Sequence, residues 1–191
     1  MNTTDPDFGV NLGVLPFNRS YWVLPGKLLA GFYPFSSDPI TGRRRIESLL
    51  DAGVDHIVDL TEAGEGSHFG TPLADYGETL AEVAAERGAG VTYRRHPVVD
   101  LDIPTIETMA CILDDIDDAI ADGRTVYVHC WGGRGRTGTA VGCWLARHAM
   151  ASGAGALAMI RYLRRTDAKA HTEAPETEAQ KGFVVDWPRG R

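Results

Sequence analysis

The chain has 191 residues, 43% of them hydrophobic and 24% charged, with a formal net charge of −7; that length suits one domain with a full core and argues against a two-domain split. The acidic balance argues against a nucleic-acid partner, and no run approaches the roughly 20 apolar residues of a membrane span. Three cysteines without regular spacing argue for a reducing compartment and against a disulfide framework or a zinc site, and the opening MNTTDPDFG has no basic segment followed by an apolar run, so a cytoplasmic protein without stable membrane association is expected.

Residues 1–20 are polar and punctuated by Pro and Gly, an irregular arm ahead of a domain over 21–191. Tyr21-Trp22-Val23-Leu24 and Lys27-Leu28-Leu29-Ala30 read as short paired strands about Pro25-Gly26. Residues 39–53 form a first helix with Ile46, Leu49 and Leu50 inward and Gly53 as its stop; Arg43-Arg44-Arg45 on it reads as a solvated basic face. Residues 56–61 follow as a strand, giving the αβ alternation of a parallel sheet. The Gly-rich stretch 65–72 reads as a surface loop at that strand's end, with His68 a surface histidine. A second helix spans 73–87 and a further strand 91–95.

The connector His96-Pro97-Val98-Val99-Asp100-Leu101-Asp102-Ile103-Pro104 leads into a helix whose apolar positions are Ile106, Met109, Leu113, Ile116 and Ile120 and whose stop is Gly123. A carboxylic acid on such a connector can supply a proton to a departing oxygen. Asp100 and Asp102 are the two candidates, and Asp102 is equally a helix cap. After the central segment come a helix over 154–165, a polar break over 167–175 and a final helix reaching Val184.

That central segment is TVYVHCWGGRGRTG, residues 125–138. Thr125 to Val128 reads as a buried strand delivering His129 and Cys130, and Val141, Trp144, Leu145 and His148 recur at helical spacing beyond it. A glycine-rich turn at a helix start aims backbone N–H groups at one point, and the helix dipole adds positive charge there. Such a loop binds an oxyanion, and the same donors stabilise the thiolate of a cysteine at its mouth. Arg136 adds a planar two-pronged donor matched to phosphoryl oxygens. The acid-free stretch 124–166 carries seven arginines, a local positive field in an acidic chain. Neither Cys111 nor Cys143 has an arginine six residues on.

Gly133-x-Gly135-x-x-Gly138 also satisfies the dinucleotide fingerprint, but the acidic residue expected about 20 positions on is missing. A Walker A loop is excluded because no Gly-Lys-Ser/Thr occurs. A buried structural cysteine would leave Arg134 and Arg136 without a reason.

His129-Cys130-x-x-Gly133-x-x-Arg136-Thr137 resembles the signature of the cysteine-dependent protein tyrosine and dual-specificity phosphatase superfamily. The segment 25–31 is similar to the opening strand of bacterial dual-specificity enzymes, and His-Pro-x-x-Asp to the superfamily's general-acid loop. The resemblance implies a single α/β catalytic domain over 21–191, with a mostly parallel four- or five-stranded sheet flanked by helices and a phosphate-binding loop between strand and helix. It implies Cys130 as nucleophile, Asp100 as acid and then base, Arg136 as phosphoryl clamp, and Thr137 as donor to the sulfur. Trp131, Gly132, Gly133, Arg134 and Gly135 would bind substrate, His129 would orient the loop, and Gln180 would position the hydrolytic water or be an exposed helix glutamine. No metal or cofactor is implied. The expected substrate is a phosphorylated protein or small phosphomonoester; a phosphoinositide or inositol phosphate is the alternative, suggested by Arg134 in Gly-Gly-Arg-Gly-Arg, and a phospho-binding module without turnover the remote one. Oligomeric state is not legible.

Overall fold

The structure, a computed structural model, describes residues 14–66 and 71–191. His68 and the first thirteen residues of the expected arm lie outside the described residues. Among the described residues the fold has eleven elements: β1 Ser20–Leu24, β2 Leu28–Gly31, α1 Pro39–Asp51, β3 His56–Asp59, α2 Gly77–Glu86, β4 Thr92–Arg95, α3 Ile106–Ala121, β5 Val126–His129, α4 Gly135–Arg147, α5 Ala154–Leu163 and α6 Glu178–Asp186, with a 3₁₀ turn at Arg164–Thr166.

The five strands lie in the order β1-β2-β5-β3-β4. β1 and β2 pair antiparallel as a hairpin; β2–β5, β5–β3 and β3–β4 are all parallel. The expected mostly parallel sheet is therefore present with five strands. Alternation along the strands divides the core in two. Leu28, Ala30, Val58, Val126 and Val128 face the layer of α3, α4, α5 and α6, while Leu29, Ile57 and Tyr127 face α1 and α2. The strand carrying the glycine loop is central and buried on both faces, which suits its Val126-Tyr127-Val128 run.

α4 is buried at every position from Gly135 to Ala146. A helix enclosed on all sides needs small residues where neighbours approach: a Cβ on Gly142 would meet Val184 Cγ1 at 2.6 Å.

Three local expectations are corrected. The second helix starts at Gly77 rather than 73, because Leu73 N donates to Glu65 O (2.9 Å), Gly66 bridges Pro72, and Asp75 Oδ1 takes the Gly77 N–H (2.7 Å), holding the segment extended. The cap of α3 is Thr105, whose side chain accepts from Thr108 N (3.0 Å), and not Asp102. The Arg43-Arg44-Arg45 run is not wholly solvated: Arg43 pairs with Glu47, Glu82 and Glu86, and Arg45 donates to Phe35 O (3.2 Å).

Candidate active site

Because β5, β3 and β4 are adjacent and parallel, their C-terminal ends open on one edge. From there leave the loop of Cys130, the segment of Glu65, and the connector of Asp100. Ligand sites of open α/β sheets form at this edge.

Cys130 directly follows β5 and is 2% exposed. The loop's carbonyls are turned away and occupied: Trp131 O accepts from Tyr33 N (3.0 Å), Gly132 O from Arg19 Nη2 (2.6 Å) and Arg134 O from Gly138 N (2.9 Å). The backbone N–H groups of Gly132 to Arg136 have no acceptor among the described residues. α4 begins there without a side-chain cap and without an acidic residue in its first turn, so its positive dipole end is left to an anion. Gly133 has φ +67° and a Cβ there would stand 2.6 Å from Gly31 C and Phe32 N. Only glycine fits, because the loop presses against the end of β2.

Arg136 is 2% exposed and saturated on one side. Its Nη1 donates to Val98 O (2.9 Å), Leu60 O (3.3 Å) and Glu65 Oε2 (2.6 Å); Nη2 donates to Glu65 Oε1 (2.7 Å) and lies 2.8 Å from Asp100 Oδ1. Nε is buried without a partner. Burial opposes the charge, but the bonds to Glu65 and the charges of Cys130, Glu65 and Asp100 outweigh it and raise the pKa above the ordinary arginine value. The guanidinium is therefore a fixed cation whose remaining donors are Nε and the Nη2 hydrogen shared with Asp100.

Asp100 is brought to Arg136; Asp102 is not, its Oδ1 accepting from Ile103 N (2.8 Å). Leu101 between them has φ +63°, a turn that separates the two carboxylates. Thr137 Oγ1 donates to Gly31 O (3.5 Å) rather than to the Cys130 sulfur. His129 is fully buried, bonded through Nε2 to the Tyr76 hydroxyl (2.6 Å) and through Nδ1 to Cys130 O (3.4 Å); burial lowers its pKa below 6.5. It packs behind the loop as a neutral ring. Arg134 does not stand free at the rim but is ion-paired with Glu176, and Trp131 is half-buried.

Gln180 is not the exposed helix glutamine of the second reading. It is fully buried, its Oε1 accepts from Glu176 N and Thr177 N (both 3.1 Å), and its Nε2 donates to Asp102 O (3.1 Å). Its amide also lies against Gly135, where a Cβ would meet Oε1 at 2.9 Å. It clamps α6, the loop and the Asp100 connector together. Glu65 was missed by the sequence reading. No sequence signal marked it, because Glu65 lies in the loop beyond β3 and meets Arg136 only through the tertiary fold.

The family model described as "Tc-R-P: Polymorphic toxin system, DSP-PTPase phosphatase" matches residues 33–150. An uncharacterized protein of Methanocaldococcus jannaschii is 36% identical over 95 residues, 50% of this chain and 58% of its own. Protein tyrosine phosphatase domain-containing protein 1 of Mus musculus is 29% identical over 126 residues, 66% of this chain and 16% of its own. The chain spans about half the length of the first of the curated relatives it matches. Among solved structures, Tk-PTP in its active form superposes with a TM-score of 0.63 at 21% identity, covering 88% of this chain and 95% of that one. PTPMT1 in complex with PI(5)P gives 0.60 at 21%, covering 88% and 93%.

Proposed function

The chain belongs to the DSP-PTPase phosphatase family of polymorphic toxin systems, and from that premise we propose that it hydrolyses phosphomonoesters through a phosphocysteine, with phosphorylated protein as its substrate class. The observation that carries the reading is the meeting of Asp100 and Arg136 at 2.8 Å beside Cys130 and its unbonded loop amides.

In the first step the Cys130 thiolate attacks phosphorus, an S–P bond forms and the P–O ester bond breaks. The departing oxygen takes a proton from Asp100. Two phosphoryl oxygens sit on Arg136 Nε and Nη2, and the others on the loop N–H groups, donors already oriented before charge develops. Entry of the dianion takes Nη2 from Asp100 and leaves that carboxyl beside the leaving group. Glu65 keeps its hold on Arg136 throughout. In the second step Asp100, now the base, takes a proton from water; water oxygen bonds phosphorus, the S–P bond breaks, and inorganic phosphate leaves.

The alternative of a phosphoinositide or inositol phosphate rested on Arg134, and the pairing of Arg134 with Glu176 reduces the charge it offers. Among the described residues no helix is long and apolar enough to cross a membrane.

The test is turnover of p-nitrophenyl phosphate by the wild-type chain and by Cys130→Ser. The reading expects turnover by the first, and by the second none, with binding of a phosphotyrosine peptide retained. A wild-type chain that binds the peptide and releases no phosphate would make it a phospho-binding module.

A further inference from the structure

The connector that carries Asp100 is fastened on both flanks. Ahead of Asp100, His96 N donates to Asp59 O (2.8 Å) and Val98 N to Leu60 O (3.1 Å), continuing the pairing of β4 with β3, and Val98 O takes an N–H of Arg136 (2.9 Å). Behind it, Asp102 O accepts from Gln180 Nε2 (3.1 Å) and Thr105 caps α3. Between these points Val99 and Leu101 are 55% and 45% exposed, so the tip bearing the carboxylate is held by its flanks rather than by packing of its own apolar side chains.

The first flank has a further tie, from the sheet to the helix layer. His96 Nε2 lies 2.8 Å from Asp115 Oδ2, and Asp115 sits in the middle of α3, the helix into which the connector runs. The start of the excursion is thereby stapled to the helix at its end. Asp115 is a charged residue among core positions: Ile112, Ile116 and Ala119 beside it on α3 are buried, and its own side chain is 6% exposed. A carboxylate taken out of water persists only with partners. The pairing of β3 with β4 brings them to the face that α3 covers, where His56 Nε2 at 3.2 Å and Arg94 Nε at 3.4 Å share Oδ1 and leave Oδ2 to His96. The two chemical steps derived above give this cluster no role.

We propose that His96 is a positioning residue for proton transfer: through Asp115 it fixes the flank of the connector from which Asp100 reaches the departing oxygen. This rests on the hydrolase reading above. Loss of the staple leaves Cys130, the loop amides and the Glu65–Arg136 pair in place, so the phosphoryl group is still bound and attacked. What falls is the share of time that the acid stands within reach of the leaving group.

Phenoxide is a stronger base than p-nitrophenoxide and depends more on receiving a proton as it leaves. The test therefore measures the ratio of kcat/KM for p-nitrophenyl phosphate to that for phenyl phosphate within one preparation, a quantity that the folded fraction does not alter. His96→Ala raises this ratio by about tenfold and Asp100→Asn by at least as much. The double variant goes no higher than Asp100→Asn alone. His96→Gln, which keeps an N–H donor in place of Nε2, stays at the wild-type ratio. A ratio unchanged in His96→Ala but raised in Asp100→Asn overturns the positioning role, as does a double variant in which the two increases multiply. A ratio that Asp100→Asn leaves unchanged overturns the acid assignment, and absence of turnover in the wild-type chain overturns the hydrolase reading. In either case amide hydrogen exchange decides the staple: His96→Ala speeds exchange of the Val98 and Asp102 N–H groups by about tenfold if it holds the connector, and rates equal to wild type overturn it.

Discussion

Glu65 and Arg136 are joined by two N–H···O bonds of 2.6 and 2.7 Å across a chain separation of 71 residues, with side chains 8% and 1% exposed. A pair so enclosed fixes the plane of the guanidinium before any ligand arrives. Glu65 is itself held, since its Oε2 also accepts from Glu62 N (3.0 Å).

Glu65→Ala therefore has two effects. It leaves a buried cation with less compensation, lowering stability by about 3 kcal/mol in urea unfolding. It also frees the guanidinium to turn, lowering kcat/KM for p-nitrophenyl phosphate by about 10²-fold. Full activity in a folded variant would show that Val98 O and Leu60 O orient Arg136 unaided.

Asp100 and Asp102 separate by the same logic of contact. Asp100→Asn is expected to lower kcat by about 10²-fold or more and to remove one limb of its pH profile. Asp102→Asn stays close to wild type, because among the described residues its carboxylate bonds only Ile103 N within its own turn. The reverse order of severity would make Asp102 the acid.

Two neighbouring glycines give a controlled comparison. Gly133→Ala forces a Cβ to 2.6 Å from β2 backbone at φ +67°, and is expected to cost about 2 kcal/mol or more together with most of the activity. At Gly132 the nearest atom to an added Cβ is Arg134 Nε at 4.0 Å, so Gly132→Ala keeps its stability. Thermal unfolding of both variants reads the difference.

Stability is expected to fall on mild acidification. Burial lowers the pKa of His129 and of His56 below 6.5 in the folded state, for His56 against the pull of Asp115. Above pH 6.5 both states are neutral and the stability is fully present. As pH falls below that value the unfolded chain takes up protons the fold resists, and up to about 1.4 kcal/mol per pH unit is lost for each histidine. Asp59 enters lower down: burial works against its charge, but His129, the Tyr93 hydroxyl and Thr61 hold its carboxyl below 3.8, so its contribution is lost only as pH falls beneath that value. Urea midpoints at successive pH values check this, and His129→Gln should flatten the slope between pH 6.5 and the acid limb.

The sequence by itself determined the loop. Strand, glycine turn and helix start are fixed by residues within one stretch, so the pattern from His129 to Thr137 was legible, as were the hairpin of β1 and β2 and the apolar faces of α1 and α3. The general-acid connector was legible as a segment but not to the residue: Leu101 at positive φ decides which aspartate reaches Arg136, and nothing in its side chain announces that turn. Glu65 lay beyond reach, and so did the burial and contacts of Gln180. Gln180 reads as a polar residue on a terminal helix until α6 packs against Gly135 and buries it. Glu65 meets Arg136 only because β3 and β5 are adjacent and parallel. Local conformation follows from local chemistry, whereas the partner of a buried charge follows from which strand ends the sheet brings together.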